Sequence, residues 1–221
     1  MSKKLIFIII IIFIVLAGLA GWYIKRVRRS APNIPSLDRP ITFFVDLSEE
    51  SKQRAKEKIE KLSAELKQNP DLFDNWLELA LYRKLIGDYE AARDIWEYCA
   101  VIRPKSSVPF NNLGNLYWHN LPDFEKAEKY FLKAIELQPD AIFAYRNLYE
   151  LYLYSYKEKS HLFDDILLRG IEANPENPDL LVLLGGYYRD IGDKENARIY
   201  FERALKLVPD NKAIQQELQN L

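Results

Sequence analysis

Cysteine and histidine, which often serve in catalysis and metal binding, are rare in this 221-residue chain. It has one cysteine, Cys99, and two histidines, His119 and His161, so these residues cannot supply the four ligands of a zinc site. The carboxylates of Asp164 and Asp165 are adjacent, and neighbours on a helix point in different directions. The sequence contains no phosphate-binding loop, nucleophilic serine motif or paired-histidine metal motif. It therefore predicts a protein that is not an enzyme and uses no cofactor or metal.

Charge is divided unevenly along the chain. The whole chain has 31 basic and 32 acidic residues, but residues 1–40 hold seven of the basic ones and one acid, so residues 41–221 carry about −7. An acidic body repels phosphate backbones, which disfavours nucleic acid as a partner. Basic residues beside an apolar segment fit a layer of lipid headgroups instead.

Residues 5–24 form an uncharged and strongly apolar segment. As a helix, this segment would be about 30 Å long, the thickness of a bilayer core. It ends in the aromatic and basic residues typical of a membrane interface, which are Trp22, Tyr23, Lys25, Arg26, Arg28 and Arg29. We therefore predict a single-pass membrane anchor over residues 1–29. A signal peptide cleaved after Ala20 is the alternative.

The basic residues also bear on which side of the membrane the body lies. Four of them follow the apolar segment, whereas only Lys3 and Lys4 precede it. The more basic flank tends to stay in the cytoplasm, so we predict a cytoplasmic body. A long domain can cross the membrane despite such charges, which keeps the extracytoplasmic side open as the alternative.

A linker, residues 30–47, connects the predicted anchor to the helical body. Pro32, Pro35 and Pro40 disfavour helix in it. Its apolar run, residues 41–45, is interpreted as docking on the first helix or on the membrane surface, with a partner-binding motif as the alternative. Ser48 can cap a helix over residues 48–70, and the narrow apolar stripe of that helix suits the N-terminal cap of a helical stack.

The body, residues 71–221, shows an internal repeat. Prolines recur every 34 to 36 residues, at positions 70, 104, 139, 175 and 209. Alignment on them brings large, small and glycine positions into register, as in the last unit with Leu181, Gly185, Gly192, Ala197 and Phe201. Gly87 and Gly192 predict turns between helices, and Cys99 stands at a small position, which predicts an inert, buried packing residue. This pattern resembles the tetratricopeptide repeat family over residues 71–211. The resemblance implies helix pairs over about 73–106, 107–141, 142–177 and 178–211, with a C-terminal helix over 212–221.

The third unit departs from the pattern. It is two residues longer, and bulky Tyr149 and Phe163 replace the usual small residues. We predict that its two helices are splayed apart or lengthened. Tyr145, Tyr149, Tyr152 and Tyr156 recur at helical spacing and are interpreted as core residues, with a partly exposed binding strip as the alternative.

The resemblance also implies a concave groove, lined by the first helix of each pair, that binds a protein or peptide. Its candidate residues are Leu77, Leu81, Lys84, Asn111, Asn112, Asn115, His119, Arg146, Asn147, Glu150 and Arg189. Asparagine amides can hold a peptide backbone because each offers a donor and an acceptor, and the two arginines could receive an acidic group. Asp179 and Leu183 stand where the dicarboxylate clamp of chaperone-binding relatives needs basic residues.

The stretch GWYIKRVRR, residues 21–29, resembles the end of the anchor in the lipopolysaccharide assembly protein B family, whose members have cytoplasmic tetratricopeptide repeats. This chain lacks the CxxC pairs of that family's rubredoxin-like module, so a role in lipopolysaccharide control does not carry over.

Together these patterns predict an all-α protein, with an N-terminal transmembrane helix followed by an α-solenoid of four repeat pairs and flanking capping helices. We interpret it as a membrane-anchored adaptor for a protein partner. A structural spacer, or a self-associating element that forms a homo-oligomer, is the alternative.

Overall fold

A computed structural model describes residues 33–221, and all regular structure in that range is helical. The helices are α1 (Glu49–Gln68), α2 (Phe73–Leu85), α3 (Tyr89–Ile102), α4 (Val108–His119), α5 (Phe124–Leu137), α6 (Ile142–Tyr154), a 3₁₀ helix (Lys157–Leu162), α7 (Phe163–Ala173), α8 (Pro178–Asp190), α9 (Lys194–Leu207) and α10 (Lys212–Asn220). The predicted all-α solenoid is thereby confirmed for this range.

The predicted membrane anchor and its interfacial residues, from Trp22 to Arg29, lie outside the described residues. Within residues 33–221, no helix combines the length and the apolar character that a membrane span requires.

Eight helices form four consecutive pairs, which we call units one (α2, α3), two (α4, α5), three (α6, α7) and four (α8, α9). Each helix packs against the next along the chain, with α1 covering unit one and α10 covering unit four. The buried apolar side chains of residues 33–221, with the exception of Ala91, form one continuous cluster from Ala55 to Ile214. A unit buries its apolar faces only by stacking on its neighbours.

Glycine makes the turn inside two of the units. Gly87 and Gly192 have φ angles of 82° and 84°, a backbone conformation that side chains with a Cβ rarely adopt. An aspartate follows each glycine and caps the second helix: Asp88 accepts a hydrogen bond from the Ala91 amide, and Asp193 accepts one from the Asn196 amide.

The two helices of units two and four touch through a glycine and an aromatic ring. A Cβ atom added to Gly114 would lie 2.6 Å from Cδ1 of Phe131, and one added to Gly185 would lie 2.9 Å from Cδ1 of Phe201. Both distances are too short for carbon atoms that are not bonded. The ring on the second helix therefore leaves room only for glycine at the facing position of the first helix.

Unit three corrects one prediction from sequence. Its first helix has 13 residues, as many as α2 and α8, and α7 has only 11, so lengthened helices were wrong. The additional residues form the 3₁₀ helix between them, and α6 and α7 approach closely over less of their length than the other pairs. The rings of Tyr149 and Phe163 meet edge to face at 5.4 Å. Tyr145, Tyr149 and Tyr152 are buried, which favours their interpretation as core.

Residues 35–47, which we call the strap, lie against unit one. Leu37, Ile41 and Phe43 are partly buried against the core, and the Phe44 amide donates a hydrogen bond to the Ile86 carbonyl at 2.8 Å. The apolar run of the linker therefore docks on the helical body.

A buried arginine holds the strap in place. Arg83 is 2 % exposed and donates to the carbonyls of Arg39 and Pro40 at 2.7 and 2.8 Å. Asp88, also 2 % exposed, lies 3.2 Å from Arg83 and accepts two hydrogen bonds from Arg39 at 2.6 and 2.8 Å. Burial lowers the pKa of Arg83 and the Asp88 carboxylate opposes this shift. One carboxylate thus joins the first helix pair to the strap.

The glycine contact predicts opposite effects for two neighbouring glycines. Gly185→Ala should lower the free energy of unfolding by about 1–3 kcal/mol, because the new methyl group collides with Phe201. Gly186 has no atom within 4 Å of an added Cβ. Gly186→Ala should therefore raise stability by about 1 kcal/mol through helix propensity alone. Urea unfolding of the two variants measures both effects, and a loss of similar size in each would contradict the assigned packing.

Because Asp88 belongs to the buried ion cluster, its removal should destabilise the protein more than the removal of a helix cap does. Asp88→Ala should lower the free energy of unfolding by about 3 kcal/mol, because two arginines lose their buried counterion. Asp123 caps α5 in the same way but from a partly exposed site, so Asp123→Ala should cost about 1 kcal/mol. Urea unfolding of the two variants measures both losses of free energy.

Hydrogen exchange of the Phe44 amide separates the two effects. Exchange should become faster in Asp88→Ala and remain unchanged in Asp123→Ala, because only Asp88 holds the strap. Equal exchange in both variants would show that the strap is fixed by its apolar contacts alone.

Candidate peptide groove

The first helices of the four units, α2, α4, α6 and α8, form one side of the stack, which we call the groove face. Among them, α4 and α6 are in direct contact. Each is fixed from behind by large buried residues such as Trp76, Leu113, Leu148 and Leu184. Side chains on the opposite side of these helices are therefore held on a rigid support, and all eleven residues predicted for the groove lie on α2, α4, α6 or α8.

The central part of the groove face is built from asparagines. Nδ2 of Asn147 on α6 donates to Oδ1 of Asn111 on α4 at 2.9 Å, and Nδ2 of Asn115 donates to the Asn111 carbonyl at 3.1 Å. These residues and Asn112 are half-buried. Within residues 33–221, Nδ2 of Asn111 and Oδ1 of Asn147 have no hydrogen-bond partner. The Nδ2 group of Asn111 as a donor and Oδ1 of Asn147 as an acceptor thus remain for the backbone of a bound peptide.

The two predicted arginines already have acidic partners. Arg146 lies 3.2 Å from Asp179, and Arg189 pairs with Asp190 at 2.7 Å and with Glu217. The hydrogen bonds that Arg189 donates to Glu217 and Asp190 raise the pKa of its guanidinium group. A partner's carboxylate would have to displace these groups, although exposed pairs of this kind are individually weak.

A cleft lies at the C-terminal end of the groove face, between α6, α8 and α10. Its volume is about 510 Å³, and its lining includes Arg146, Glu150, Val182, Leu183, Asn211 and Ile214. Of the predicted groove residues, it brings together only Arg146 and Glu150. The contribution of α10 could not be found from the repeat pattern, because the capping helix lies beyond the last unit.

The N-terminal end of the groove face is apolar and basic. Leu77 packs on the core, whereas Leu81 and Leu85 are exposed. Lys84 is half-buried, and this burial lowers its pKa. No ion pair to Lys84 occurs within residues 33–221.

His119 lies beside this end of the groove face, and its ring stacks on Trp118 with centroids 4.0 Å apart. Partial burial and the positive charge of Lys84 on α2 lower the pKa of His119 on α4.

Cys99 has the packing role that the sequence predicts. It is fully buried, and desolvation raises its pKa to about 12, so the thiol stays protonated and unreactive at neutral pH.

Two family models match this chain, and both describe the tetratricopeptide repeat. One covers residues 109–141 and the other residues 178–211. The chain therefore contains tetratricopeptide repeats, which confirms the resemblance for units two and four. Repeats of this type generally form scaffolds for protein–protein interaction, and the matches indicate no catalytic family.

Curated relatives are similar over the same region. Protein FlbA of Caulobacter vibrioides is 29% identical over 136 residues, which cover 61% of this chain and 22% of FlbA. The CTR9 homolog of Arabidopsis thaliana is 33% identical over 110 residues, or 48% of this chain and 10% of that protein. BBSome complex member BBS4 of Bos taurus is 29% identical over 147 residues, which cover 66% of this chain and 28% of BBS4. This chain spans less than a third of the length of each.

Solved structures share the fold. MamA superposes with a TM-score of 0.58 at 19% identity and covers 77% of this chain and 99% of its own. The C-terminal part of a repeat protein from Cytophaga hutchinsonii has a TM-score of 0.57 at 22% identity, and the match covers 75% of this chain and 68% of that one. YrrB, described as a TPR protein with an unusual peptide-binding site, has a TM-score of 0.53 at 15% identity, covering 72% and 80%. At these identities the likeness shows the α-solenoid fold alone.

The effect of the Lys84 charge on His119 predicts a change in the titration of the imidazole. Lys84→Gln removes the opposing positive charge, so the pKa of His119 should rise towards its ordinary value while partial burial still lowers it. NMR titration of the imidazole signals measures this shift, and Lys206→Gln on α9 is the control. An unchanged midpoint in Lys84→Gln would show that the two side chains are not neighbours.

Proposed function

We propose that this chain is a membrane-anchored adaptor that binds a protein or peptide segment on its groove face. The observation that carries the proposal is the hydrogen bond between Asn111 and Asn147, which links the first helices of two units. It leaves the Nδ2 group of Asn111 as a donor and Oδ1 of Asn147 as an acceptor, an arrangement suited to an extended backbone. The peptide-binding site in the description of YrrB supports the same use of this fold.

The anchor part of the proposal rests on sequence. Residues 5–24 are long and apolar enough for one span, and the basic residues 25–29 suit the headgroup layer. A tethered groove meets membrane-associated partners at high effective concentration. Weak contacts on the groove face are then sufficient for binding. The excess of basic residues after the apolar segment favours a cytoplasmic body.

Photo-crosslinking in cells distinguishes an adaptor from a structural spacer. A photoreactive amino acid in place of exposed Leu81, on α2, should yield discrete crosslinked products. The same amino acid in place of exposed Ile199, on the second helix α9 of unit four, is the control and should not yield them.

The asparagine pair supplies the second arm of this experiment. The double variant Asn111→Leu, Asn147→Leu should reduce the products at Leu81 by about tenfold or more, because an unpaired peptide group costs 1–3 kcal/mol. Thermal unfolding checks that this variant is folded. Products that are the same at Leu81 and Ile199, or that the double variant leaves unchanged, would favour the spacer.

Reporter fusions after Leu221 test the orientation. A fluorescent protein that folds only in the cytoplasm should be bright, and a phosphatase that works only after export should be inactive. Replacement of Lys25, Arg26, Arg28 and Arg29 by Gln should shift the balance towards export, because the charge difference across the apolar segment is then reversed. Phosphatase activity in the unaltered fusion would contradict a cytoplasmic body.

A further inference from the structure

Three exposed apolar side chains lie near the C-terminal end of α2, the first helix of unit one. Leu81 and Leu85 are 49 % and 47 % exposed and lie one turn apart on α2, so they share a face. Phe44 of the strap is 63 % exposed, and its amide is bonded to the carbonyl of Ile86, the residue after Leu85. We call Phe44, Leu81, Leu85, Lys84 and His119 the lip. It is the place where the strap and the groove face come together.

The lip contains one ammonium group, that of Lys84, and one imidazole, that of His119, and neither has an acidic partner among the described residues. Within residues 33–221, neither Lys84 nor His119 forms an ion pair, although the body carries an excess of acidic residues. Arg146 and Arg189 on the same face are both paired with carboxylates. A half-buried ammonium group without a counterion is unfavourable, and an anion placed beside it is correspondingly stabilised. The lip therefore has a charge that is complementary to an acidic ligand.

We propose that the lip binds a partner segment in which an acidic side chain lies next to large apolar residues. The carboxylate lies beside Lys84 and His119, while the apolar residues cover Phe44, Leu81 and Leu85. This rests on the proposed function, because it names the chemistry of the segment that the groove face takes. A basic segment would place like charges together, and a neutral one would leave Lys84 without a counterion.

The strap contributes directly to this site. The Phe44 backbone is held at the end of α2 by its hydrogen bond to the Ile86 carbonyl, and the strap that carries it is fixed by Arg39, Arg83 and Asp88. The site is therefore complete only when the strap is docked. Loss of the Arg39 side chain should weaken binding at the lip although Arg39 does not belong to it.

Three labelled peptides test the proposal by fluorescence anisotropy with the full chain in detergent micelles. The peptides are twelve residues long, share the same Leu and Phe positions, and carry Asp, Asn or Lys at the remaining positions. The Asp peptide should bind at least about tenfold more tightly than the Lys peptide, because charge complementarity acts at a partly desolvated site.

Matched variants locate the site. Lys84→Gln should remove most of the preference for the Asp peptide, Lys84→Arg should retain it, and Phe44→Ala and Arg39→Gln should weaken binding of the Asp peptide. Lys206→Gln and Leu207→Ala repeat the Lys–Leu pair on α9, the second helix of unit four, and should have no effect.

The outcomes separate this inference from the proposed function. Equal affinity for the three peptides, no binding of any peptide, or a preference that survives Lys84→Gln would overturn the lip chemistry. If Asn111→Leu with Asn147→Leu still abolishes crosslinking at Leu81 in that case, the groove binds a ligand of another chemistry. If crosslinking is also independent of the asparagines, the proposed function fails as well.

Discussion

Close contact between a small residue on one helix and a ring on the next determines how this chain stacks. At Gly114 and Gly185, the ring of Phe131 or Phe201 occupies the space of a Cβ atom, so the distance within each of these pairs is fixed by a single side chain. Each pair then has apolar faces that only a neighbouring pair can cover. From this constraint follow the continuous core, the need for α1 and α10 at the ends, and a rigid row of first helices.

Unit one stacks in the same way as the other units but has a charged residue at one position where they have an aromatic one. In the aligned repeat, a tyrosine stands at positions 117, 152 and 188, but Arg83 stands at the corresponding position of unit one. The guanidinium group is buried there and is satisfied by Asp88 and by two carbonyls of the strap. At a position where the other units have a tyrosine, unit one thus has an arginine that binds the strap, a segment outside the repeat. The groove face gains Phe44 beside its first helix as a result.

The sequence predicted the features that depend on local spacing. The helix pairs, the turns at Gly87 and Gly192 and the buried Cys99 all follow from residue size and type at a fixed repeat position. The sequence did not predict the contacts between residues far apart that obey no period, such as Arg39 with Asp88 or Arg146 with Asp179. The 3₁₀ helix of unit three was missed because a longer repeat indicates extra residues without indicating which conformation they adopt. For the groove, the sequence indicated the helices that bear it but not which charges already have partners.

The docked strap also determines how the body responds to mechanical load. Tension on the chain ahead of Pro35 would reach the body first at Asp38, which pairs with Lys67 of α1, and then at Arg39, which is bonded to Asp88 and Arg83. The pair with Lys67 is exposed and therefore weak, so most of the resistance comes from the buried contacts with unit one. The buried ion cluster thus opposes a pull on the N-terminal segment at the first helix pair of the repeat.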